Sequence, residues 1–262
     1  MIDYAGTIHR FEKVPVAEER APPFPRRLSE TGLFASVADH EPAPGVIPYT
    51  VNVERWSDGA TSERLLGLPG DSQIGVASDA NAPWALPAHS VIAKTLSLEM
   101  EEGKPESRRR IETQILHRHP EGWRAYTYQW NEEGSDAELV AKDGTRRVFT
   151  IRDPAAPGGQ RSQRWEFLSR ANCFSCHNGR GGTARALNAA QWNRTHRYPG
   201  DLADNQLGVL TRLGLVSAPL DPGIPPAIDP HDRTASLESR ARTYLHYNCS
   251  FCHRPNGGGL VP

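Results

Sequence analysis

The sequence contains no run of about 18 apolar residues, so it offers no membrane-spanning helix. Its 30 basic residues are balanced by 31 acidic ones, for a formal net charge of −1. No surplus of positive charge is left to hold a nucleic-acid backbone or an anionic lipid surface, and neither partner is expected. The opening "MIDYAGTIHRFEKVP" lacks the basic start and apolar core of a secretory signal. Methionine is scarce, and Met100 is the only internal one. Glycine and proline together make up 45 of 262 residues, short of the roughly 25% typical of low-complexity chains, so long loops are expected rather than disorder. The length suits one large domain or two small ones around a real core.

Cysteine is also rare, and all four residues fall in two similar stretches, "ANCFSCHNGRGG" from Ala171 and "YNCSFCHRPNGGG" from Tyr247. Cys173, Cys176 and His177 form one Cys-x-x-Cys-His unit, and Cys249, Cys252 and His253 form the other. This is the attachment pattern of c-type haem. Two intervening residues set both sulfurs along one porphyrin edge, where they can form thioethers with the vinyl groups, and the next residue presents its imidazole to the iron. The alternatives are a zinc site, a dithiol redox pair and ordinary disulfides. A zinc ribbon requires no histidine after each pair and prefers a gap of roughly 15–20 residues, whereas 72 separate Cys176 from Cys249. Each motif follows a helical segment and precedes a glycine-rich loop, which either lets backbone pass close to a flat cofactor or simply stops the helix.

Punctuation by proline and glycine divides the chain into four pieces. Residues 1–14 read as a short β segment, and 15–27, with four prolines in "VPVAEERAPPFPRR", as an extended linker. Residues 28–155 are mostly of period two in "YTVNVERW", "SVIAKTLSLEM", "RRIETQILH", "GWRAYTYQW" and "RRVFTI", with turn chemistry between them, which predicts an antiparallel, sandwich-like β domain. Residues 156–262 take helical spacing in "RWEFLSRANC", "TARALNAAQWNR", "NQLGVLTRLGLV" and "ASLESRARTYLHYNC" and read as a small, loop-rich helical domain. The expected fold class is therefore α+β and multidomain, a β domain followed by a cytochrome c-like helical one.

Several segments, in chain order "FPRRLSETGLF", "PYTVNVERWSDGA", "RRIETQIL", "GWRAYTYQWNEEGSDAELV", "NCFSCH", "NQLGVL" and "RARTYLHYNCSFCHRPNGG", resemble the dihaem c-type cytochromes common in planctomycetes and some proteobacteria. Those often occur with, or fused to, quinoprotein glucose/sorbosone dehydrogenases. The resemblance implies two haem c groups, held covalently at Cys173, Cys176, Cys249 and Cys252 with His177 and His253 as proximal iron ligands. It also implies electron transfer, a quinoprotein sugar dehydrogenase as redox partner, and a periplasmic or otherwise exported location. "PAHSVIAKTL" departs from the Pro-x-Gly-Thr start usual in the family. The family usually continues past the second motif into a Met-Pro-Pro ligand loop, and "DYAGTIHRFEKVP" resembles the closing strands of a β-propeller blade, so the expectation is a fragment cut at both ends.

The spare histidines are His9, His40, His89, His117, His119, His196, His231 and His246. His196, in the segment after the first motif, is the candidate distal ligand there, against the ordinary reading of a surface histidine. His246 reads as a packing neighbour on the approach to Cys249. His117 and His119 share a strand face and make half of a metal site or, more plainly, solvated residues. Tyr126, Tyr128 and Trp130 read as sheet core, and Glu132, Glu133, Asp136 and Glu138 as a polar turn. Arg240 and Arg242 are candidates to pair with haem propionates. Two other functions stay open: a dihaem peroxidase-type enzyme, with one open iron position, and a haem-free structural module holding zinc.

Overall fold

The period-two runs form strands. In the computed structural model, residues 24–177, 184, 186–198, 200 and 202–253 are described. A short hairpin of β1 (Phe34–Ser36) and β2 (Glu41–Pro42) precedes a six-stranded antiparallel sheet, β3 (Val46–Tyr49), β4 (Thr61–Gly67), β5 (Val91–Glu99), β6 (Arg108–His119), β7 (Gly122–Trp130) and β8 (Ala137–Leu139). Its spatial order is its chain order. A separate ribbon pairs β9 (Thr145–Arg152) with β10 (Gln160–Phe167) across residue 155. Then come α1 (Arg170–Cys176), α2 (Ala189–Trp192), a small hairpin of β11 (Thr195–Tyr198) with β12 (Leu202–Asn205), α3 (Gln206–Arg212) and α4 (Leu237–Asn248). The described residues are thus mostly antiparallel β, sandwich-like, with four α-helices.

Successive side chains of a strand point to opposite faces, so register decides what each face presents. Leu65, Ala93, Ile115 and Tyr126 lie opposite one another on β4 to β7. This face packs with Tyr128, Trp130 and the N-terminal Leu28, Leu33, Phe34 and Val37. The aromatic stripe of β7 is therefore sheet core, and the Tyr128 hydroxyl donates to the Pro25 carbonyl over 2.8 Å.

The other face carries the row Arg64, Lys94 and Gln114. It is covered only toward its ends. At one end Phe149, Trp165 and Phe167 of the ribbon pack on Leu96, Leu98 and Ile111. At the other, Leu187, Trp192, Leu207 and Leu210 pack on Tyr49, Leu66 and Trp84. Full burial of side chains of this size contributes about 1.5–3 kcal/mol each, enough to fix both covers in place.

Four expectations need correction or delimiting. "YTVNVERW" leaves the sheet after Tyr49, because its backbone finds partners elsewhere. The buried Gln191 side chain accepts from Val53 N–H and donates to Val53 C=O, and Gln206 does the same to Thr50. Two amide side chains thus take the place of a strand neighbour. "RWEFLSRANC" is strand up to Phe167 and helix only from Arg170, since the apolar Trp165 and Phe167 alternate with the exposed Arg164 and Glu166 against the sheet. Among the described residues of "TARALNAAQWNR" the helix is Ala189–Trp192, and a separate helical cytochrome c-like domain is likewise not shown among the described residues. Residues 1–14 and most of the 15–27 linker lie outside the described residues.

The turn between β8 and β9 sets where α1 begins. Gly144 has φ +78°, and a Cβ there would stand 2.5 Å from the Phe167 carbonyl oxygen and 2.8 Å from Ser169 N. Beside it, Arg170 N–H donates to the Lys142 carbonyl over 3.0 Å. Gly144→Ala is expected to cost roughly 2–4 kcal/mol through left-handed strain plus this clash. Urea denaturation checks it, and an unchanged midpoint would contradict the packing of this turn on the start of α1.

Candidate functional site

The first cysteine motif is the closing turn of α1, and the second is the turn that follows α4, beginning at its C-cap Cys249. Ser169 caps α1, its hydroxyl accepting from Asn172 N–H, and Ser236 caps α4, accepting from Ser239 N–H. At the far ends, His177 N–H donates to the Cys173 carbonyl over 2.9 Å and His253 N–H to the Cys249 carbonyl over 3.0 Å. The two motifs therefore share a hydrogen bond from the histidine N–H back to the first cysteine carbonyl; in the helical first motif, positions i, i+3 and i+4 gather on one side of the turn. No disulfide joins any of the four cysteines.

Cys173, Cys176 and His177 open into a cavity of about 430 Å³ between α1 and the incompletely covered sheet face. Its apolar walls include Val51, Val53, Ile92, Leu96, Leu116 and Leu187. Ser250 and Phe251, from inside the second motif, line the same cavity, as do His246 and Tyr247 of α4. Arg55 joins the two motifs: its guanidinium lies 3.6 Å from Cys176 Sγ and 5.0 Å from the centre of the Phe251 ring. Next to it, Trp56 N–H donates to Asn248 Oδ1 over 2.9 Å. The loop after β3, diverted from the sheet by Gln191 and Gln206, thus clasps both motifs.

The floor of the cavity is polar. Arg64 is held by Glu54 through two hydrogen bonds. Lys94 Nζ donates to Ser57 Oγ over 3.0 Å, and burial, then the neighbouring Arg64, push its pKa down to about 7. Glu112, 1% exposed, accepts from Trp165 Nε1 over 2.8 Å and Gln114 Nε2 over 3.0 Å. Burial raises it to about 7. Burial, reinforced by Glu112, also pushes the Cys173 thiol up. A reactive dithiol needs the opposite shift, toward thiolate, so this pair is poorly suited to disulfide exchange.

The residues fit a haem. A site of this size lies within the range of cofactor pockets, roughly 300–1,000 Å³. Its walls are mainly apolar, both sulfurs and the imidazole of one motif reach it, and cations stand on its floor. Cys249, Cys252 and His253 close the turn that borders it but are not among its lining residues.

The other expected residues are placed as follows. His196 does not line the cavity: its Nδ1 stands 3.3 Å from Thr50 Oγ1, and its Nε2 is buried without a hydrogen-bond partner among the described residues. His246, read from the sequence as a packing neighbour, does line it. Arg240 donates to the Pro230 carbonyl and Arg242 to Glu238, both outside the cavity. His89, His117 and His119 are neighbours, with successive ring centres 6.2 Å apart. Among the described residues, however, no group of three or more His, Cys, Asp or Glu is arranged to hold a metal ion. Lys94, Glu112 and Arg55 were missed by the sequence reading. For Lys94 on β5 and Glu112 on β6 a charged residue at a strand position beside core residues was the available signal, and Arg55, in the loop after β3, carried none. Compared with protein-family models, curated proteins and solved structures, the chain has no match.

Glu112 makes stability depend on pH. Its folded pKa is raised from 4.5 to about 7, so its contribution is full below about pH 4.5 and is lost as pH rises through about 7. Glu112→Gln removes that loss. Relative to the parent, the variant is expected to gain up to about 3 kcal/mol between pH 4.5 and pH 8. Urea melts at both pH values measure this, and a pH-independent difference would contradict a buried, unpaired carboxyl.

Proposed function

We propose that the chain is the electron-transferring part of a dihaem c-type cytochrome. The observation that carries the reading is that two Cys-x-x-Cys-His motifs, each at the end of a helix, border one largely apolar cavity. Cys173 and Cys176 hold one haem with His177 as proximal ligand; Cys249, Cys252 and His253 hold the other. The four cysteines would hold the two groups through thioethers, and all four are free thiols, as such attachment would require. When bound, haem iron supplies one-electron exchange.

The chain's own residues do the rest. Helix caps at Ser169 and Ser236 fix the closing turns. The apolar walls exclude water and so tune the potential by burial. His246, which lines the cavity with His177, replaces His196 as the candidate to supply a second ligand to this haem were it bound. In this reading residues 156–262 are the cytochrome c-like, haem-bearing part. The protein is exported, and its electrons come from a quinoprotein sugar dehydrogenase; these last two points rest on the family resemblance alone.

A second reading, a peroxide-reducing haem enzyme, is favoured by one observation. Glu112 is a buried acid on the cavity wall, and with a pKa near neutrality it is able to donate a proton at working pH. Spin state separates the two readings. The haemochrome spectrum and intact mass of protein matured in a host with a cytochrome assembly system are expected to give two covalent haems per chain. The haem at Cys173 and Cys176 is expected to be low-spin and inert to cyanide, and to become cyanide-reactive in His246→Ala. A high-spin, cyanide-binding haem at Cys173 and Cys176 in the parent would favour the enzyme, and a haem-free, zinc-loaded chain would overturn both readings.

A further inference from the structure

Three cations line the cavity: Arg55, Arg64 and Lys94. Arg64 is neutralised by the two hydrogen bonds from its guanidinium to Glu54. Arg55 is drawn to the motif edge, between Cys176 Sγ and the Phe251 ring. Lys94 differs from both. It projects from the middle of β5, in register between Arg64 and Gln114, and its hydrogen-bond partner among the described residues is the neutral hydroxyl of Ser57. The carboxyl closest in the strand order, Glu112 on β6, has its two oxygens taken by Gln114 and Trp165. Glu54 and Glu112 attract Lys94 from a distance, yet among the described residues its hydrogen bond is to a neutral hydroxyl, and a cation buried without a carboxylate in direct contact is costly because burial removes its hydration. The neighbouring guanidinium of Arg64 adds repulsion.

A carboxylate arriving in the cavity would meet that demand. Resting on the dihaem reading, the identity of the carboxylate follows from how the cofactor is tethered. Thioethers at Cys173 and Cys176 fix the vinyl edge of the porphyrin at the end of α1. The two propionates, its only charged peripheral groups, would be carried on the opposite edge, and Lys94 is a cation lining the cavity that could meet one of them. We propose that Lys94 is the propionate-binding residue of the haem attached at Cys173 and Cys176, seated on the sheet floor and oriented by Ser57. Arg240 and Arg242, the sequence-level candidates, have no such role for this haem. Lys94 acts as a positioning residue. It fixes the tilt of the porphyrin against the sheet, and its positive charge favours the reduced, less positive iron.

The test uses the full haem-loaded chain and compares the midpoint potentials of both haems by spectroelectrochemical titration. Lys94→Gln is expected to keep two covalent haems and to lower the potential of one of them; Lys94→Arg is expected to restore it. Arg240→Gln/Arg242→Gln is expected to leave that haem unchanged. Two attached haems with parental potentials in Lys94→Gln would overturn the Lys94 assignment while leaving the dihaem reading intact. A parent chain that carries no haem under maturation conditions would overturn both. If the Lys94 variants do not fold, a crystal structure of the loaded parent decides: a propionate oxygen within hydrogen-bonding distance of Nζ supports the assignment, and a propionate directed elsewhere removes it.

Discussion

The site depends on the register of β4, β5 and β6. The pleat sends Leu65, Ala93 and Ile115 to one face and Arg64, Lys94 and Gln114 to the other. The first face is packed throughout by the N-terminal segment. The second cannot be, because a row of polar and charged groups runs across its middle. The ribbon of β9 and β10 covers one end with aromatics, the segments around α2 and α3 cover the other, and the cavity is the gap left between. A slip of one residue in β5 would bury Lys94 among the N-terminal side chains and expose Ala93 to the cavity, so the same register that builds the core also creates the site.

A second constraint joins the two halves of the sequence. Thr50 to Val53 leave the sheet, and their backbone groups must be satisfied somewhere. Gln191 and Gln206 supply donor and acceptor together, which is why two amides are fully buried where apolar residues would otherwise sit. Loss of either would strand a backbone pair, at about 1–3 kcal/mol per orphaned group. This connection carries Arg55 and Trp56 to the ends of α1 and α4, and so ties two motifs far apart in sequence to one cavity wall.

Much of this was legible from residue order. Period-two runs marked β5, β6, β7 and β9, and the spacing of "ASLESRARTYLHYN" marked α4. The repeated Cys-x-x-Cys-His marked two turns that border the cavity. The parts that were missed depend on pairing across long separations. "RWEF" has apolar spacing compatible with either element, and only its pairing with β9 makes it strand. "YTVNVERW" alternates as a strand should, yet side chains about 140–155 residues later capture its backbone. His196 and His246 are indistinguishable as isolated histidines. The fold decides between them, turning one toward Thr50 and the other toward the cavity. Lys94 and Glu112 look like ordinary polar interruptions until both are seen to stand on the incompletely covered face.

The central claim is that two cofactor-binding turns converge on a single cavity. Electron paramagnetic resonance of the fully oxidised protein tests this most directly, when its spectrum is compared with the sum of the spectra of Cys173→Ser/Cys176→Ser and Cys249→Ser/Cys252→Ser. Two ferric haems bordering one cavity should couple magnetically, so the parent spectrum is predicted to differ from that sum by broadened, shifted features. A parent spectrum equal to the sum would mean that the haems are isolated from one another and would contradict the account.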